Sequence, residues 1–192
     1  MAQEAATELA ELLEGKGSSR YGLSDVNQLQ HALQAAMLAE EAGCNAALVT
    51  AALLHDVGHM VHNLGENPAE EGVDDRHEEI GRAYLAALFG PEVTELVRLH
   101  VPAKRYLCAT EPDYFAKLSA DSVLSLKLQG DPMSSDEVAA FRASPHADAA
   151  VQLRRFDERA KVAGLPTPSV AHFLPYVRHC VRRQPRPLRA AP

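Results

Sequence analysis

Four histidines recur at near-equal intervals in this chain: His31, His55, His77 and His100 are 24, 22 and 23 residues apart. Neutral imidazole is the side chain most often used to hold a metal. Asp56 follows His55 directly, and Asp157 lies further along. Four His and two Asp, with no Cys among them, form a nitrogen and oxygen set that suits iron, manganese, cobalt or zinc. Six ligands exceed what one tetrahedral catalytic site uses. A carboxylate at Asp56, central in this order, can bridge two metals, and a dinuclear centre is the economical reading. Any one histidine taken alone reads better as a hydrogen-bonded helix residue than as a ligand, and the His55-Asp56 pair alone can be an imidazole oriented by its neighbour. The regular spacing, with an apolar run feeding the central pair, selects the metal reading.

Each interval fits one helix plus a return connection, which sends four helices past one bundle core. Ala51-Ala52-Leu53-Leu54, just before His55, belongs to a helix expected over residues 48–58 and buried on most of its circumference. Adjacent helix residues lie about 100° apart, so His55 and Asp56 can both reach a central ion. A second helix, over residues 25–42, is capped by Ser24 or Asp25, with Asp25 and Gln28 in capping-box form. Asp75 with Glu78 opens a helix that carries His77. Pro91 starts another, which Pro102 is expected to stop just after His100. Further helices are expected over residues 3–14, 119–127, 147–163 and 169–182, with a short one opened by Ser134 and Glu137. Residues 59–73 turn polar and glycine-bearing and read as a loop over the mouth of a site. The expected architecture is all-α: residues 1–20 a helix and linker, 21–182 a single bundle with the metal site in its core, and 183–192 a proline-bearing disordered tail.

Composition narrows the function. The 192 residues are 46% hydrophobic but only 5% aromatic, an alanine- and leucine-rich mixture that favours helices. A net charge of -7 argues against a nucleic-acid partner, because phosphate backbones call for a basic surface. Cys44, Cys108 and Cys180 are widely separated and odd in number, which disfavours a disulfide framework and suits a reducing compartment. No signal peptide or run of 18 apolar residues is visible. A cytoplasmic protein without a membrane partner is expected.

His31, His55-Asp56 and Asp157, with His77 and His100 inserted, resemble the HD-domain superfamily of helical metalloproteins over roughly residues 20 to 160. Most of that superfamily hydrolyses phosphoesters, while one branch holds two irons and activates dioxygen. The likeness to phosphonate-cleaving members of that branch extends beyond the ligands. Tyr21 stands ten residues before His31, where such members place an iron-capping tyrosine. His59, Lys104, Ser122 and Arg154 occupy the positions that hold their phosphonate. The resemblance implies one iron on His31, His55, Asp56 and Asp157, and a second on His77 and His100 with Asp56 bridging. It also implies a mixed-valent Fe(II)/Fe(III) pair, O2 as co-substrate and a small hydroxyphosphonate as partner.

Lys104 and Arg154 independently suit a phosphonate dianion, and His59 and Ser122 add hydrogen bonds. Where a primary-amine member of the branch has a glutamate, this chain has Ser24 beside Asp25. A primary ammonium rewards a direct carboxylate acceptor, whereas a trimethylammonium prefers a roomier pocket with diffuse negative charge. Cleavage of 1-hydroxy-2-(trimethylamino)ethylphosphonate to glycine betaine and phosphate is therefore expected, with the primary amine as the alternative. A metal-dependent phosphohydrolase and a non-catalytic domain with a structural metal are the rival readings.

Overall fold

The apolar run before His55 folds as α3 (Ala46–Leu54), opened by Asn45, whose side chain accepts from the Leu48 N–H. Every residue from Leu48 to Leu54 is buried, so α3 is enclosed on all sides. The structure, a computed structural model, describes residues 1–18, 25–62 and 68–182. Around α3 are α1 (Ala2–Lys16), α2 (Gln28–Glu41), α4 (Val57–Val61), α5 (His77–Leu85) and α6 (Pro91–Thr110). They are followed by α7 (Ala120–Leu128), α8 (Ser135–Arg142), α9 (Ala147–Arg159) and α10 (Val170–Cys180). Among the described residues there is no strand, only an isolated bridge between Phe89 and Val181. The fold is all-α, as expected. No described helix is long and apolar enough to cross a membrane.

α3 packs against α2, α6, α9 and α10, while α5 and α9 lie against α6. α1, which the sequence sets apart, buries Ala5, Ala6, Leu9 and Leu13 in the same core and lies on α10. The tail over 183–192 lies outside the described residues.

Several expected boundaries move, each for a local reason. The capping box that opens α2 is Asn27 with Gln30, not Asp25 with Gln28. Asn27 Oδ1 accepts from the Gln30 N–H at 2.7 Å, and Gln30 Oε1 from the Asn27 N–H at 2.9 Å. The single helix over 48–58 is two helices, because His55 and Asp56 form a turn and α4 begins afresh at Val57. The expected loop over 59–73 contains the end of α4 and a 3-10 turn at Pro68–Glu71. α5 is preceded not by an Asp75 cap but by Arg76 in the left-handed region, with φ 50°.

Pro102 lies inside α6, which runs on to Thr110. The buried face that includes Val97, Leu99, His100 and Val101 continues to Ala103, Lys104 and Leu107, and this packing outweighs the lost backbone hydrogen bond. Lys104, expected just past a helix end, is therefore buried inside the bundle. α9 ends at Arg159 rather than near 163, where Ala160 caps it and offers its carbonyl to His31.

The turn at His55-Asp56 aims α4 at the start of α5, with Gly58 at the contact. A Cβ on Gly58 would lie 2.0 Å from the His77 carbonyl oxygen, an approach that only glycine allows. Backbone on both sides leaves little room to relax. Gly58→Ala should destabilise the fold by about 2 kcal/mol or more, read as a fall in Tm of roughly 4–8 °C. An unchanged melting curve would contradict this packing.

Candidate metal centre and substrate pocket

Each of the four histidines is fixed through Nδ1. His31 Nδ1 donates to the Ala160 carbonyl at 2.8 Å, His55 Nδ1 to Ala52 at 2.9 Å, and His100 Nδ1 to Val97 at 2.6 Å. His77 Nδ1 donates to Asp75 Oδ1 at 2.9 Å. Carbonyl and carboxylate oxygens only accept, so Nδ1 carries a proton in every ring, and in the neutral imidazole Nε2 keeps its lone pair. Those lone pairs converge. His31 and His55 bring their Nε2 atoms to 3.0 Å, and His77 and His100 theirs to 3.1 Å.

Asp56 stands between the two pairs and divides its oxygens. Oδ2 lies 3.5 Å from His31 Nε2 and 3.4 Å from His55 Nε2. Oδ1 lies 3.5 Å from His77 Nε2 and 3.4 Å from His100 Nε2. Asp157 Oδ1 completes the first group, 3.4 Å from His31 Nε2 and 4.0 Å from His55 Nε2. Ligands about 2.0–2.2 Å from one ion sit roughly 3–4 Å from each other, the spacing seen in both groups. Lone pairs and carboxylate oxygens that close, with no N–H left between them, fit cations and little else. His31, His55 and Asp157 could hold one metal, and Asp56, His77 and His100 a second.

Burial and charge prepare these groups for that task. Burial pushes the His55 and His77 imidazoles down to about 4, so both are neutral ligands at pH 7. Burial alone would raise the two carboxyls. The imidazoles around Asp56, His55 foremost, and the Arg154 guanidinium beside Asp157 outweigh it and hold both well below the usual carboxylate range.

The centre opens into a cavity with about 830 Å³ of empty space, part of it solvent, and Asp56, His77, His100 and Asp157 lie on its wall. His59, Lys104, Ser122 and Arg154 line the same cavity, so the structure brings together every described member of the expected phosphonate set. Tyr21 and Ser24 lie outside the described residues. Asp25 is exposed and is not among the pocket-lining residues. Tyr106, Tyr114, Phe115 and Tyr176, aromatic residues that could wall a pocket for a methylated cation, are not among the cavity's lining residues. Tyr106 stacks on Phe141, Tyr176 bonds Glu40 and Phe115 is exposed.

Arg154 is already heavily engaged. Nη1 donates to Asp157 Oδ2 at 2.5 Å, Nη2 to Ser122 Oγ at 3.1 Å and to Glu158, and Nε to the Tyr114 hydroxyl at 3.1 Å. It ties a metal-facing carboxylate to the pocket wall. Lys104 Nζ donates to Ser125 Oγ at 2.7 Å, and burial with the nearby Arg154 charge pushes its ammonium down to about 7. Ser125, Glu158 and the bond from Arg154 to Tyr114 are not legible in the sequence, although Glu158, four residues after Arg154, stands at the spacing of a helical ion pair.

Asp75 is the other unforeseen group. Its Oδ2 accepts from His59 Nδ1 at 2.7 Å and from His62 Nε2 at 3.2 Å, while Oδ1 accepts from His77. One carboxylate thereby positions a pocket histidine and a metal-facing one, and the His59 and His77 rings stack with centroids 4.0 Å apart. Its spacing, two residues before His77, is the only trace in the sequence.

Comparison with known proteins agrees with this geometry. Residues 28–143 match the family model for the HD domain. A 1-hydroxy-2-(trimethylamino)ethylphosphonate dioxygenase (glycine-betaine-forming) from Leisingera caerulea is 41% identical over 170 residues, spanning 88% of this chain and 87% of the relative. A hydroxymethylphosphonate dioxygenase from Gimesia maris is 44% identical over 179 residues, spanning 93% and 89%. The chain belongs to the HD-domain family and, with these relatives, to its oxygenases.

Outer carboxylates that orient metal-binding histidines contribute to affinity. Asp75→Asn should weaken binding of the second of two Fe(II) ions by about 10- to 100-fold in anaerobic titration, while the first binds as before. Equal weakening of both ions, or of neither, would remove Asp75 from this role.

Proposed function

We propose that this chain cleaves the carbon–phosphorus bond of a 1-hydroxyphosphonate with O2 as co-substrate. The preferred substrate in this reading is (R)-1-hydroxy-2-(trimethylamino)ethylphosphonate, converted to glycine betaine and phosphate. One observation carries it: Asp56 shares its carboxylate between two histidine pairs, beside a buried Lys104–Ser122–Arg154 cluster shaped for an oxyanion. In this reading His31, His55, Asp56 and Asp157 hold one iron. His77 and His100, with Asp56 bridging, hold the other of a mixed-valent Fe(II)/Fe(III) pair. Such a pair supplies, when bound, the one-electron chemistry with dioxygen that oxidising a C–H bond requires.

The remaining work falls to the chain. Lys104 and the Arg154 guanidinium neutralise phosphonate oxygens, Ser122 donates a further hydrogen bond, and His59, held through Nδ1 by Asp75, presents Nε2. Fixing the phosphonate fixes C1 over the metal-facing side of the cavity, the positional part of catalysis. Tyr21 is assigned as the residue that caps the centre before substrate arrives, on its spacing to His31. Val73, Val101, Leu124 and Leu128, with Asp74 and Asp121, give the cavity aliphatic and acidic wall, which suits a methylated cation. A second reading, hydroxymethylphosphonate, is supported by the 44% identity to the Gimesia maris enzyme and by the absence of a phenyl, phenol or indole ring among the described pocket-lining residues.

The test is phosphate release by iron-loaded protein from both compounds and from 2-amino-1-hydroxyethylphosphonate, under air and under argon. Release should require oxygen and be fastest with the trimethylated compound. Oxygen-independent release would mean hydrolysis, and a preference for either other compound would replace the proposed substrate. Because burial pushes the Lys104 ammonium down to about 7, kcat/KM should fall as pH rises through the neutral range and the ammonium is lost. Lys104→Arg, which stays charged, should move that limb to higher pH.

A further inference from the structure

Gln28 opens α2 one turn before His31 and is the residue through which α2 reaches the cavity. The residue is only 6% exposed, yet its carbonyl oxygen Oε1 is buried without a hydrogen-bond partner among the described residues. Leaving a buried acceptor unpaired is costly, and apolar residues fill such positions when nothing polar is to be bound. Gln129, just past the end of α7, offers a second buried and unpaired carbonyl oxygen on the cavity wall, on a residue that is itself only half-buried.

The sign of the group tells what it faces. Phosphonate oxygens need donors, and the donors Lys104, Ser122 and Arg154 come from α6, α7 and α9. A carbonyl oxygen repels those oxygens. It attracts a cation, either by accepting from an N–H or by turning the negative end of its dipole towards N-methyl groups. We propose that Gln28 determines specificity: its carbonyl oxygen receives the cationic group carried on C2 of the substrate. This rests on the reading above that a hydroxyphosphonate is the substrate, and adds to it a residue for the end remote from phosphorus.

The experiment compares iron-loaded wild type, Gln28→Leu and Gln28→Asn on 1-hydroxy-2-(trimethylamino)ethylphosphonate and on hydroxymethylphosphonate, which has no C2 cation. Gln28→Leu should lower the ratio of the two kcat/KM values about 10-fold or more, through KM of the cationic substrate. Gln28→Asn, with a shorter reach, should fall between. Removing an unpaired buried acceptor should also raise the Tm of substrate-free protein by about 2–4 °C, which shows that the leucine variant folds. An unchanged ratio, whether both substrates suffer equally or neither does, overturns the proposal. The thermal shift that each phosphonate induces under argon reads binding without turnover. If wild type cleaves neither compound, the functional reading fails, and this arm decides Gln28 separately. Selective loss of the shift by the cationic phosphonate in Gln28→Leu supports the proposal; no such loss, or no binding of that phosphonate by wild type, overturns it.

Discussion

Two ionised carboxylates inside an apolar bundle impose the constraint from which the other local features follow. Asp56 and Asp157 are 5% and 1% exposed, and a carboxylate so placed is tolerable only with positive or donating partners on every side. Asp157 has Arg154, which is locked in turn by Tyr114, Ser122 and Glu158. Asp56 is ringed by four imidazole Nε2 atoms whose Nδ1 protons point away from it, so the positive partner it needs is a cation held between them. Satisfying both requires α3 to stop at Leu54, α4 to restart against α5 through Gly58, and Arg76 to take a left-handed conformation. Backbone irregularity gathers around the centre because regular helices cannot supply these angles.

The ligand set is legible in the sequence because it obeys two simple rules. Histidines one helix-and-return apart fall on successive helices of a bundle, and His55-Asp56 terminates the most apolar of them. The turn at that pair is not legible, since alanine and leucine report helical preference and say nothing of where tertiary contact interrupts it. Pro102 misleads for the opposite reason: a local breaker is overridden by the buried face of α6 on both sides of it. Asp25 and Asn27 are equally good caps by type. Asn27 prevails because its side chain and that of Gln30 each accept from the other's backbone N–H, a reciprocal pair.

Asp75 shows the limit of local rules. An acid two residues before a helix reads as a cap, and its value as one is small and local. Its partners His59 and His62 belong to α4 and the residue after it, so the role exists only once α4 meets α5. The same holds for Tyr114 and Ser125, whose importance lies in holding Arg154 and Lys104. Ligands announce themselves by type and spacing, whereas the residues that aim them are ordinary in type and distant in sequence. Metal geometry alone also leaves hydrolysis and oxygenation open, because either can use a carboxylate-bridged pair. What separates them is the likeness to relatives named as dioxygenases, at 41% and 44% identity.

The pocket is also where the chain forgoes stability. Lys104 is an ammonium held at 2% exposure beside Arg154, and Gln28 keeps an acceptor dry and unpaired. Neither arrangement helps the empty protein, since like charges repel and a desolvated dipole goes unused. Their signs are complementary in a way that matters for a zwitterion. In the proposed reading the cationic cluster on α6 and α9 would attract phosphonate oxygens, and the carbonyl from α2 would suit a positive head group. A molecule carrying both charges on a two-carbon frame would relieve both strains in one binding event, whereas a bare hydroxymethyl group would relieve only the first. That difference is a binding free energy available for selecting among hydroxyphosphonates, and it comes from residues outside the metal-facing set.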